Sequence, residues 1–295
     1  MTQLFGGVEA GGTKFNCIIG TGPHNIRAET RFPTTTPDET LGDVVAFFRE
    51  RGPVAALGIA SFGPLDLRPA SPAYGHIAAT PKPGWAGADL LRPFQEAFGA
   101  PIGFDTDVNG AALGEWQWGA ARGLDTFLYL TIGTGIGGGG LVGGKLMHGL
   151  VHPEMGHIFI PHDRQADPFN GGCPFHKNCF EGLASGPALN ARWGQPAVTL
   201  PPDHPAWDLE ARYIARALTN FVCTLSPQRI ILGGGVMDQT QLFPLIRRYV
   251  KEFLNGYVQS PSILVDADSY IVPPALGPRA GVLGALALAQ QAIAH

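Results

Sequence analysis

Two cysteines and two histidines stand close together near the middle of the chain. Cys173, His176 and Cys179 follow one another at three-residue steps, and His157 lies sixteen residues before Cys173. Two thiolates and two imidazoles complete a tetrahedral shell of the kind that Zn²⁺ favours. Because four protein ligands leave no open position for a reactive water, this set predicts a structural zinc ion. Ordinary loop residues are the alternative, since a short Cys/His run also occurs by chance.

Two carboxylates flank this metal-binding pattern. Glu154 precedes His157 in the run Glu-Met-Gly-His, and Glu181 follows Cys179 by two positions. A zinc ion bonded to both segments would brace the loop that carries the two carboxylates, and ionised carboxylates accept hydrogen bonds. We therefore expect the braced loop to present Glu154 and Glu181 to a ligand.

Another polar group stands where a short strand meets a helix. Asp105, Thr106 and Asp107 follow an apolar strand predicted over 101–104, and Asn109 comes two residues later. Polar side chains at a strand end beside a helix N-terminus form a candidate catalytic nest, with Asp107 as its reactive carboxylate. Asp is also a preferred N-cap residue, so Asp107 is equally suited to capping the helix. Both roles stay open at this point.

Three glycine clusters follow apolar strands. They are Gly11-Gly12-Thr13-Lys14, the run from Gly133 and Thr134 to Gly140, and Gly233-Gly234-Gly235. Glycine lets the backbone turn tightly, so that amide N–H groups come close to an anion such as phosphate. In the first cluster Thr13 would add a hydroxyl donor and Lys14 a cation. Glu9, just before that cluster, is a candidate for positioning Mg²⁺.

Each cluster also has a plainer explanation. A lone Gly-Gly-Thr-Lys is more often a hairpin turn, and it lacks the G-x-x-x-x-G-K spacing of a P-loop. The middle cluster leads into a second strand, predicted at 141–142, instead of a helix. It therefore lacks the context that a dinucleotide-binding motif requires. Acting together, the three clusters would clamp one polyphosphate.

Short apolar segments bounded by Gly, Pro or Asn alternate with helical patterns along the chain. The predicted strands cover 4–10, 15–20, 26–32, 54–60, 101–104, 126–132, 141–142, 229–232, 263–265 and 270–272. The predicted helices begin at Pro37 and after Asn109, and others cover 182–192 with a break at Ser-Gly-Pro, 209–225, 242–254 and 281–294. The Pro/Gly-rich segment 69–87 contains Lys82 and Trp85 and is expected to be a functional loop.

A strand, a glycine-rich turn and a second strand occur near the start of the chain and again near its middle. This weak duplication predicts an α/β fold of two lobes with an interdomain cleft. Glycine clusters at strand ends and a carboxylate at Asp107 are the parts that phosphoryl transfer needs. The residues alone therefore predict nucleotide-dependent phosphoryl transfer in that cleft.

Composition narrows the classes of protein further. The chain has 295 residues, enough for two domains, with 45% hydrophobic and 15% charged residues. Its formal net charge of -4 gives no reason to expect nucleic acid or an anionic membrane as a partner. No positive leader and no membrane-spanning apolar run is visible, and Cys17 and Cys223 are expected to be buried thiols. These features favour a cytoplasmic protein.

Several motifs together resemble the ROK family (repressor, open reading frame, kinase). They are VEAGGTK, DTDVN, IGTGIGGG, PEMGH and CPFHKNCFEG, with LGGGV and IVPPALG near the C-terminus. The similarity runs nearly end to end and is greatest to the zinc-containing bacterial fructokinases of that family. It implies an actin-like ATPase (ribonuclease H-like) fold. The expected N-terminal lobe is 1–107 plus 278–295, and the expected C-terminal lobe is 108–277 with the zinc loop.

The resemblance also implies an activity and its residues. The expected reaction is D-fructose plus ATP to D-fructose 6-phosphate plus ADP, with Asp107 as the catalytic base and Mg²⁺ as a cofactor. The implied sugar-binding residues are Gly63, Thr106, Asp107, Glu154, His157 and Glu181. Gly63 belongs to a turn, Ser-Phe-Gly-Pro, whose backbone would face a ligand. The implied ATP-binding residues are Gly11, Gly12, Thr13, Lys14, Gly133, Thr134, Gly233, Gly234 and Gly235.

Two departures from the family pattern matter. Glu9 stands where the family has Asp, and the zinc run reads C-P-F-H-K-N-C, which adds His176 to the metal ligands. The repressor members carry an N-terminal helix-turn-helix that this sequence does not show, so no DNA binding is expected. Another hexose kinase, for glucose, mannose or N-acetylmannosamine, and a non-catalytic sugar sensor remain the alternatives. The family also suggests a homodimer.

Overall fold

The computed structural model describes residues 3–293 and divides them into two compact α/β units. The first unit takes in the described chain up to Gly123, then Leu146–Pro153, and then the described chain from Ala275 onward. The second unit takes in Leu124–Lys145 and Glu154–Pro274. Residues 1, 2, 294 and 295, which belong to the expected N-terminal lobe, lie outside the described range, as does the expected helix end at Ala294.

Ten strands and ten α-helices make up the described chain. The strands are β1 Phe5–Ala10, β2 Lys14–Gly22, β3 Asn25–Pro33, β4 Leu57–Ser61, β5 Ile102–Thr106, β6 Phe127–Ile132, β7 Ile136–Val142, β8 Lys145–Leu146, β9 Ile230–Gly233 and β10 Ile271–Val272. The helices are α1 Pro37–Arg51, α2 Arg92–Phe98, α3 Asp107–Trp118, α4 Phe180–Ala184, α5 Gly186–Trp193, α6 Ala206–Leu225, α7 Leu242–Leu254, α8 Pro261–Leu264, α9 Ala267–Tyr270 and α10 Ala280–Gln291. Short 3₁₀ turns occupy Met155–His157, Ala197–Thr199 and Gly277–Arg279.

The first unit is built on a five-stranded mixed sheet in the order β3-β2-β1-β4-β5. Strands β1, β2 and β3 are antiparallel neighbours, whereas β1, β4 and β5 run parallel. Ala10 pairs with Ser61, and Ser61 pairs with Thr106, so the three parallel strands end level with one another. The turns that follow these strands therefore lie along one edge of the sheet, where ligands bind in open α/β sheets.

Helix α10 packs against this sheet and α3 at unusually short range. A Cβ atom added at Gly58 of β4 would lie 1.8 Å from the Ala285 carbonyl oxygen. One added at Gly284 would lie 1.9 Å from the Gly110 carbonyl oxygen of α3. Only residues without a Cβ allow such an approach of backbone to backbone. The buried face of α10 is therefore fixed in register against α3 and β4.

The apolar core of the first unit lies mainly between its sheet, α1 and α2. Trp85, from the long loop before α2, is fully buried in this core, and its ring packs against Phe15 and Phe62. Its indole N–H donates to the Thr35 carbonyl at 2.8 Å. The 69–87 loop therefore contributes a core side chain, in addition to any role in binding.

The second unit has its own five-stranded sheet in the order β10-β9-β6-β7-β8. Strands β10, β9 and β6 run parallel, and β6 pairs with β7 antiparallel. Helices α6 and α7 carry apolar faces, with Ile214, Leu218, Ile246 and Val250 buried. This arrangement places the glycines that follow β6 and β9 at the ends of neighbouring parallel strands.

Three sequence predictions are wrong at the level of local structure. The segment predicted as a strand over 263–265 is the end of helix α8, with Val265 as its C-cap, because three apolar residues do not distinguish strand from helix. Gly137–Gly140 belong to strand β7 and not to a turn. Cys223 is exposed, since it lies on the solvent side of α6 although its neighbours in sequence are apolar. Cys17 is buried, as predicted.

Packing divides the chain at different residues from the expected lobes. Residues 108–123 and 146–153 group with the first unit, whereas the expected boundary assigned them to the C-terminal lobe. The physical reason is α3, which packs on α10 through Gly110 and Gly114. Within residues 3–293, no helix is both long enough and apolar enough to cross a membrane.

We predict that Gly284→Ala destabilises the protein by about 1–3 kcal/mol, because the new methyl group must displace the backbone of α3. Gly42→Ala is the matched control, since Gly42 lies exposed in α1 with no atom within 4 Å of an added Cβ. The control should be neutral or stabilising by up to about 1 kcal/mol. Thermal unfolding monitored by circular dichroism checks both values. Equal midpoints for the two variants would contradict the packing described for α10.

Candidate active-site residues and metal centre

Asp107 is the first residue of α3, and Thr106 is the cap of that helix. The Thr106 hydroxyl accepts a hydrogen bond from the Asn109 backbone N–H at 3.2 Å. Asp107 is half-buried, and its Oδ1 accepts from the Val108 N–H at 2.9 Å. Of the two roles that the sequence left open for Asp107, capping therefore belongs to Thr106. Asp107 is held at the edge of the sheet by its position after β5.

Asp105, just before this pair, organises a buried polar cluster. It is 2% exposed, and its Oδ1 accepts from the Thr106 N–H at 2.8 Å and from Asn109 Nδ2 at 2.9 Å. Its Oδ2 lies 2.8 Å from His148 Nε2. The hydrogen bond from Asp105 raises the pKa of His148, against the opposing effect of burial. Asp105 thus stabilises the protonated form of His148 relative to a histidine without this partner.

The turn after β4 carries Gly63, and a second histidine packs against it. The ring of His152 lies 3.3 Å from the position of a Cβ on Gly63. His152 is 7% exposed, and its Nε2 accepts from the Leu65 backbone N–H at 3.0 Å. Neither His148 nor His152 was predicted from the sequence to be a site residue. The only available signal was their position in a Gly- and Pro-containing loop just before Glu154.

The first glycine cluster forms the hairpin turn between β1 and β2. The Gly11 N–H donates to the Lys14 carbonyl at 3.0 Å, and the Thr34 hydroxyl donates to the Gly11 carbonyl at 2.7 Å. Thr13 and Lys14 are exposed, and no atom lies within 4 Å of a Cβ built on Gly12. The plainer explanation of a hairpin turn is thus correct for its backbone. The open side of the turn still leaves room for an anion.

Glu9 lies on β1 beside this turn and faces the interior of the unit. Its Oε2 accepts from Asn16 Nδ2 at 2.7 Å, and its Oε1 lies against Gly281 of α10. Burial raises the pKa of Glu9, while Asn16, Lys14 and Arg31 act in the opposite direction. Both carboxylate oxygens are therefore turned toward neighbours within the first unit. This geometry does not fit a carboxylate that holds Mg²⁺.

The two other glycine clusters lie side by side in the second unit. Thr131 of β6 pairs with Gly233 of β9, so the turns that follow these strands begin level with one another. Gly234 has φ of 89°, and a Cβ there would lie 2.5 Å from Ile132 backbone atoms, so only glycine fits. A Cβ atom added at Gly133 would lie 3.7 Å from the Gly235 backbone N. Thr134 and Gly235 are exposed.

His157, Cys173, His176 and Cys179 converge in the second unit, as the sequence predicts. Their ligand atoms all lie within 4.8 Å of one another. His157 Nδ1 is 3.8 Å from Cys173 Sγ and 3.6 Å from Cys179 Sγ, and His176 Nδ1 is 3.9 Å from Cys173 Sγ. Zn–S bonds of about 2.3 Å and Zn–N bonds of about 2.0 Å at tetrahedral angles separate S and N ligands by about 3.5 Å. The donor set and its dimensions fit a metal ion.

Backbone hydrogen bonds hold the metal-binding loop in this shape. Cys173 and Lys177 exchange backbone hydrogen bonds of 3.2 and 3.0 Å, and Lys177 adopts φ of 56°. The Phe180 N–H donates to the Ile158 carbonyl at 2.9 Å, which ties the loop to the segment that carries His157. Burial, chiefly, raises the pKa of the Cys179 thiol to about 11, so metal binding must displace its proton.

A buried ion-pair cluster supports the loop from behind. Asp167 is 3% exposed and accepts from Arg192 Nε at 3.2 Å and from the Tyr213 hydroxyl of α6. Arg192 also donates to the Leu183 carbonyl of α4 at 2.8 Å. His162 Nε2 lies 3.4 Å from the Asp167 carboxylate. Helices α4, α5 and α6 are thereby joined to the part of the chain between His157 and Cys173.

Glu181 links the metal-binding loop to the glycine turn after β6. Its Oε2 accepts from the Ile136 N–H at 2.9 Å, one residue after Gly135. The His157 N–H donates to the Glu154 carbonyl at 3.0 Å, and the Glu154 side chain is exposed. The His157 ring points Nδ1 at the two cysteines. His157 is thus placed as a metal ligand, while Glu154 is the more accessible of the two predicted sugar-loop residues.

The chain is similar to known proteins along nearly its whole length. The sequence pattern of the ROK family matches residues 5–292. A fructokinase from Zymomonas mobilis subsp. mobilis is 46% identical over 295 residues, covering 97% of this chain and 96% of the relative. The crystal structure of a ROK hexokinase from Thermus thermophilus superposes with a TM-score of 0.79 at 26% identity, covering 99% of both chains. A ROK family glucokinase from Streptomyces griseus, solved with glucose and AMPPNP, gives 0.76 at 27% identity and covers 98% of this chain and 99% of its own.

We predict that Glu181→Ala destabilises the second unit by about 1–2 kcal/mol, because it leaves the Ile136 N–H without its charged acceptor. Glu181→Gln keeps a carbonyl acceptor and should recover most of this loss. Glu252→Ala, an exposed change on α7, is the control and should be neutral. Urea unfolding of the three variants measures the differences. A Glu181→Ala protein as stable as the control would show that this hydrogen bond contributes nothing.

Proposed function

The chain belongs to the ROK family, and we propose that it is an ATP-dependent hexose kinase whose substrate is D-fructose. The observation that carries the proposal is Asp107, a carboxylate at the start of α3 on the edge where β1, β4 and β5 end level. A sugar hydroxyl is a poor nucleophile at neutral pH, so its attack on the γ-phosphorus of ATP needs a proton acceptor within hydrogen-bond reach. Asp107 supplies that acceptor.

The mechanism assigns separate tasks to the residues of the first unit. Asp107 takes the proton of the attacking hydroxyl as the bond to the γ-phosphorus of ATP forms. The Val108 N–H donates to Asp107 Oδ1, which orients the carboxylate for this role. The Gly63 turn and Thr106 hold the sugar, and the Gly11–Lys14 turn holds phosphate oxygens through backbone N–H groups and the Lys14 charge.

The second unit is assigned the nucleotide and further sugar contacts. In the adjacent turns of Gly133-Thr134 and Gly233–Gly235, Gly133 and Gly235 present backbone without a Cβ and without close neighbours, which suits close contact with phosphate and adenosine. Glu154 and Glu181 accept hydrogen bonds from sugar hydroxyls, Glu181 through the oxygen that Ile136 does not use. Mg²⁺ bound together with ATP would supply positive charge to the phosphates during transfer. We assign that ion to the nucleotide and not to Glu9.

The metal centre is proposed to hold a structural Zn²⁺ ion. His157, Cys173, His176 and Cys179 would bind it, and four protein ligands leave no position for catalysis. The ion would fix the segment after Glu154 relative to the segment before Glu181. A loop ordered in advance binds its ligand more tightly, because less conformational entropy is lost on binding. The zinc ion therefore acts on sugar affinity and not on the transfer step.

Fructose is favoured over other hexoses because the Zymomonas mobilis relative, a fructokinase, covers nearly the whole chain. Glucose is the second candidate, since the Streptomyces griseus relative is a glucokinase with glucose bound. The proposal includes a cytoplasmic location, where ATP is available, and a homodimeric assembly, which the family resemblance suggests. A sensor without catalysis is disfavoured by the presence of Asp107 and all three glycine turns.

Asp107→Asn should lower kcat by about 100- to 10,000-fold, because it removes a proton acceptor but little volume. Dissociation constants for fructose and ATP, measured by calorimetry, should stay close to those of the unchanged protein. Asp38→Asn, at the N-terminus of α1, is the control and should retain full activity. A kcat of Asp107→Asn within about tenfold of wild type would remove Asp107 from the mechanism.

A coupled assay of ADP release over fructose, glucose, mannose and N-acetylmannosamine tests the substrate. We expect kcat/KM for fructose to exceed the others by about tenfold or more. Phosphate position in the product is checked by ³¹P NMR, with the 6-phosphate expected. A higher kcat/KM for glucose than for fructose would make glucose the substrate instead. No ADP release with any of the four would favour the sensor.

The purified protein should contain about one zinc ion per chain, measured by mass spectrometry without chelators present. Cys179→Ser should lose zinc and raise the KM for the sugar by about tenfold or more, with little change in the KM for ATP. Cys223→Ser is a matched control, because that thiol is exposed on α6. If Cys179→Ser lost zinc and kept its sugar KM, the metal would have no part in sugar affinity. Loss of both affinities with the circular-dichroism signal would show that the ion only maintains the fold.

A further inference from the structure

We propose that His148 and His152 are positioning residues for the sugar kinase reaction, and that they fix the backbone carrying Asp107 and Gly63. Both belong to Leu146–Pro153, a segment that packs in the first unit although the chain on either side of it belongs to the second. We call this stretch the histidine segment. The inference rests on the proposed function, which supplies the roles of Asp107 and Gly63.

His148 anchors the segment to the end of β5. Its Nε2 lies 2.8 Å from Asp105 Oδ2, and the other Asp105 oxygen receives the Thr106 N–H and Asn109 Nδ2. Asn109 also donates to the Met147 carbonyl at 3.2 Å. One carboxylate thus joins His148 to the residues on both sides of Asp107. A donor at His148 Nε2 orients Asp105, and Asp105 orients the start of α3.

His152 anchors the segment to the turn after β4. Its Nε2 accepts from the Leu65 N–H at 3.0 Å, and Leu65 is only 3% exposed. A buried backbone donor that loses its acceptor is costly, so the turn depends on this bond. The His152 ring also packs against Gly63, where a Cβ would lie 3.3 Å away. His152 therefore fixes the turn that is proposed to hold the sugar.

Apolar packing holds only the start of the histidine segment, where Leu146 packs against a buried cluster that includes Ala60 and Leu113. Leu150 and Val151, between the two histidines, are 87% and 58% exposed. A pocket lined by Leu65–Arg68 and by both histidines lies beside the segment. Beyond Leu146, the segment is attached to the first unit by the polar bonds of His148, His152 and Asn109. Removing one of them should loosen a specific strand end without disturbing the apolar core.

Four variants test the proposal. His148→Met and His152→Met keep much of the side-chain volume but remove the donor and the acceptor. His148→Gln and His152→Gln place an amide near the position of Nε2, which restores a donor or an acceptor. His24→Met is the matched control, because His24 is exposed in the β2–β3 turn. Steady-state kinetics with fructose and ATP are combined with hydrogen–deuterium exchange of peptides covering 62–66 and 104–109.

We expect each Met variant to lower kcat/KM for fructose by about 10- to 100-fold, with less than about threefold change in the KM for ATP. His148→Met should act mainly on kcat, through Asp107, and His152→Met mainly on the KM for fructose, through the Gly63 turn. Exchange should rise in 104–109 for the first and in 62–66 for the second. The Gln variants should recover at least half of each loss on a logarithmic scale.

Two results would overturn the proposal. One is a Met variant with kinetics and exchange equal to those of His24→Met. The other is a Gln variant no better than its Met counterpart, which would show that hydrogen bonding at Nε2 is not what matters. The exchange measurement does not depend on turnover. If the unchanged protein phosphorylates no hexose, the proposed function fails, while local exchange still decides whether the histidines hold these strand ends.

Discussion

The close contact of α10 with α3 and β4 is the constraint on which the first unit depends. Backbone meets backbone at Gly58, Gly110 and Gly284, at distances that no residue with a Cβ permits. Helices packed this closely cannot slide past one another, so α3 is held in one position against α10. Asp107 is the first residue of that helix. The register of the contact between Gly284 and Gly110, one helical turn from Asp107, therefore determines where the proposed base stands.

In the second unit the corresponding constraint is polar. Asp167 is buried with Arg192 and Tyr213 around it, and this cluster joins the metal-binding loop to helices α5 and α6, which follow it. A buried charge is tolerated only when it is paired and hydrogen-bonded, so these side chains specify one arrangement of the loop. Four metal ligands then stand within 4.8 Å of one another in that arrangement. The fold brings the ligands together, and an ion would lock them.

The parts of the fold that could be predicted are those with a recognisable pattern within a short stretch of sequence. Helix α7 has the predicted bounds, and the four predicted metal ligands converge. Both could be predicted because helical periodicity and ligand spacing are visible in the sequence. Contacts between residues far apart in the sequence leave no periodic pattern, so they could not be predicted from it. Asp105 and His148 are 43 residues apart, and nothing around His148 signals a partner. Gly137–Gly140 resembled a phosphate turn because glycine composition is shared by turns and by strands packed closely on a neighbour.

The central claim is that Asp107 accepts the proton of the sugar hydroxyl that attacks ATP. It is tested most directly by a crystal structure of the protein with fructose and a non-hydrolysable ATP analogue. We predict that the hydroxyl of fructose nearest the γ-phosphate lies about 3 Å from an Asp107 carboxylate oxygen. A complex in which that hydroxyl is hydrogen-bonded to a different carboxylate, with Asp107 out of reach, would contradict this assignment.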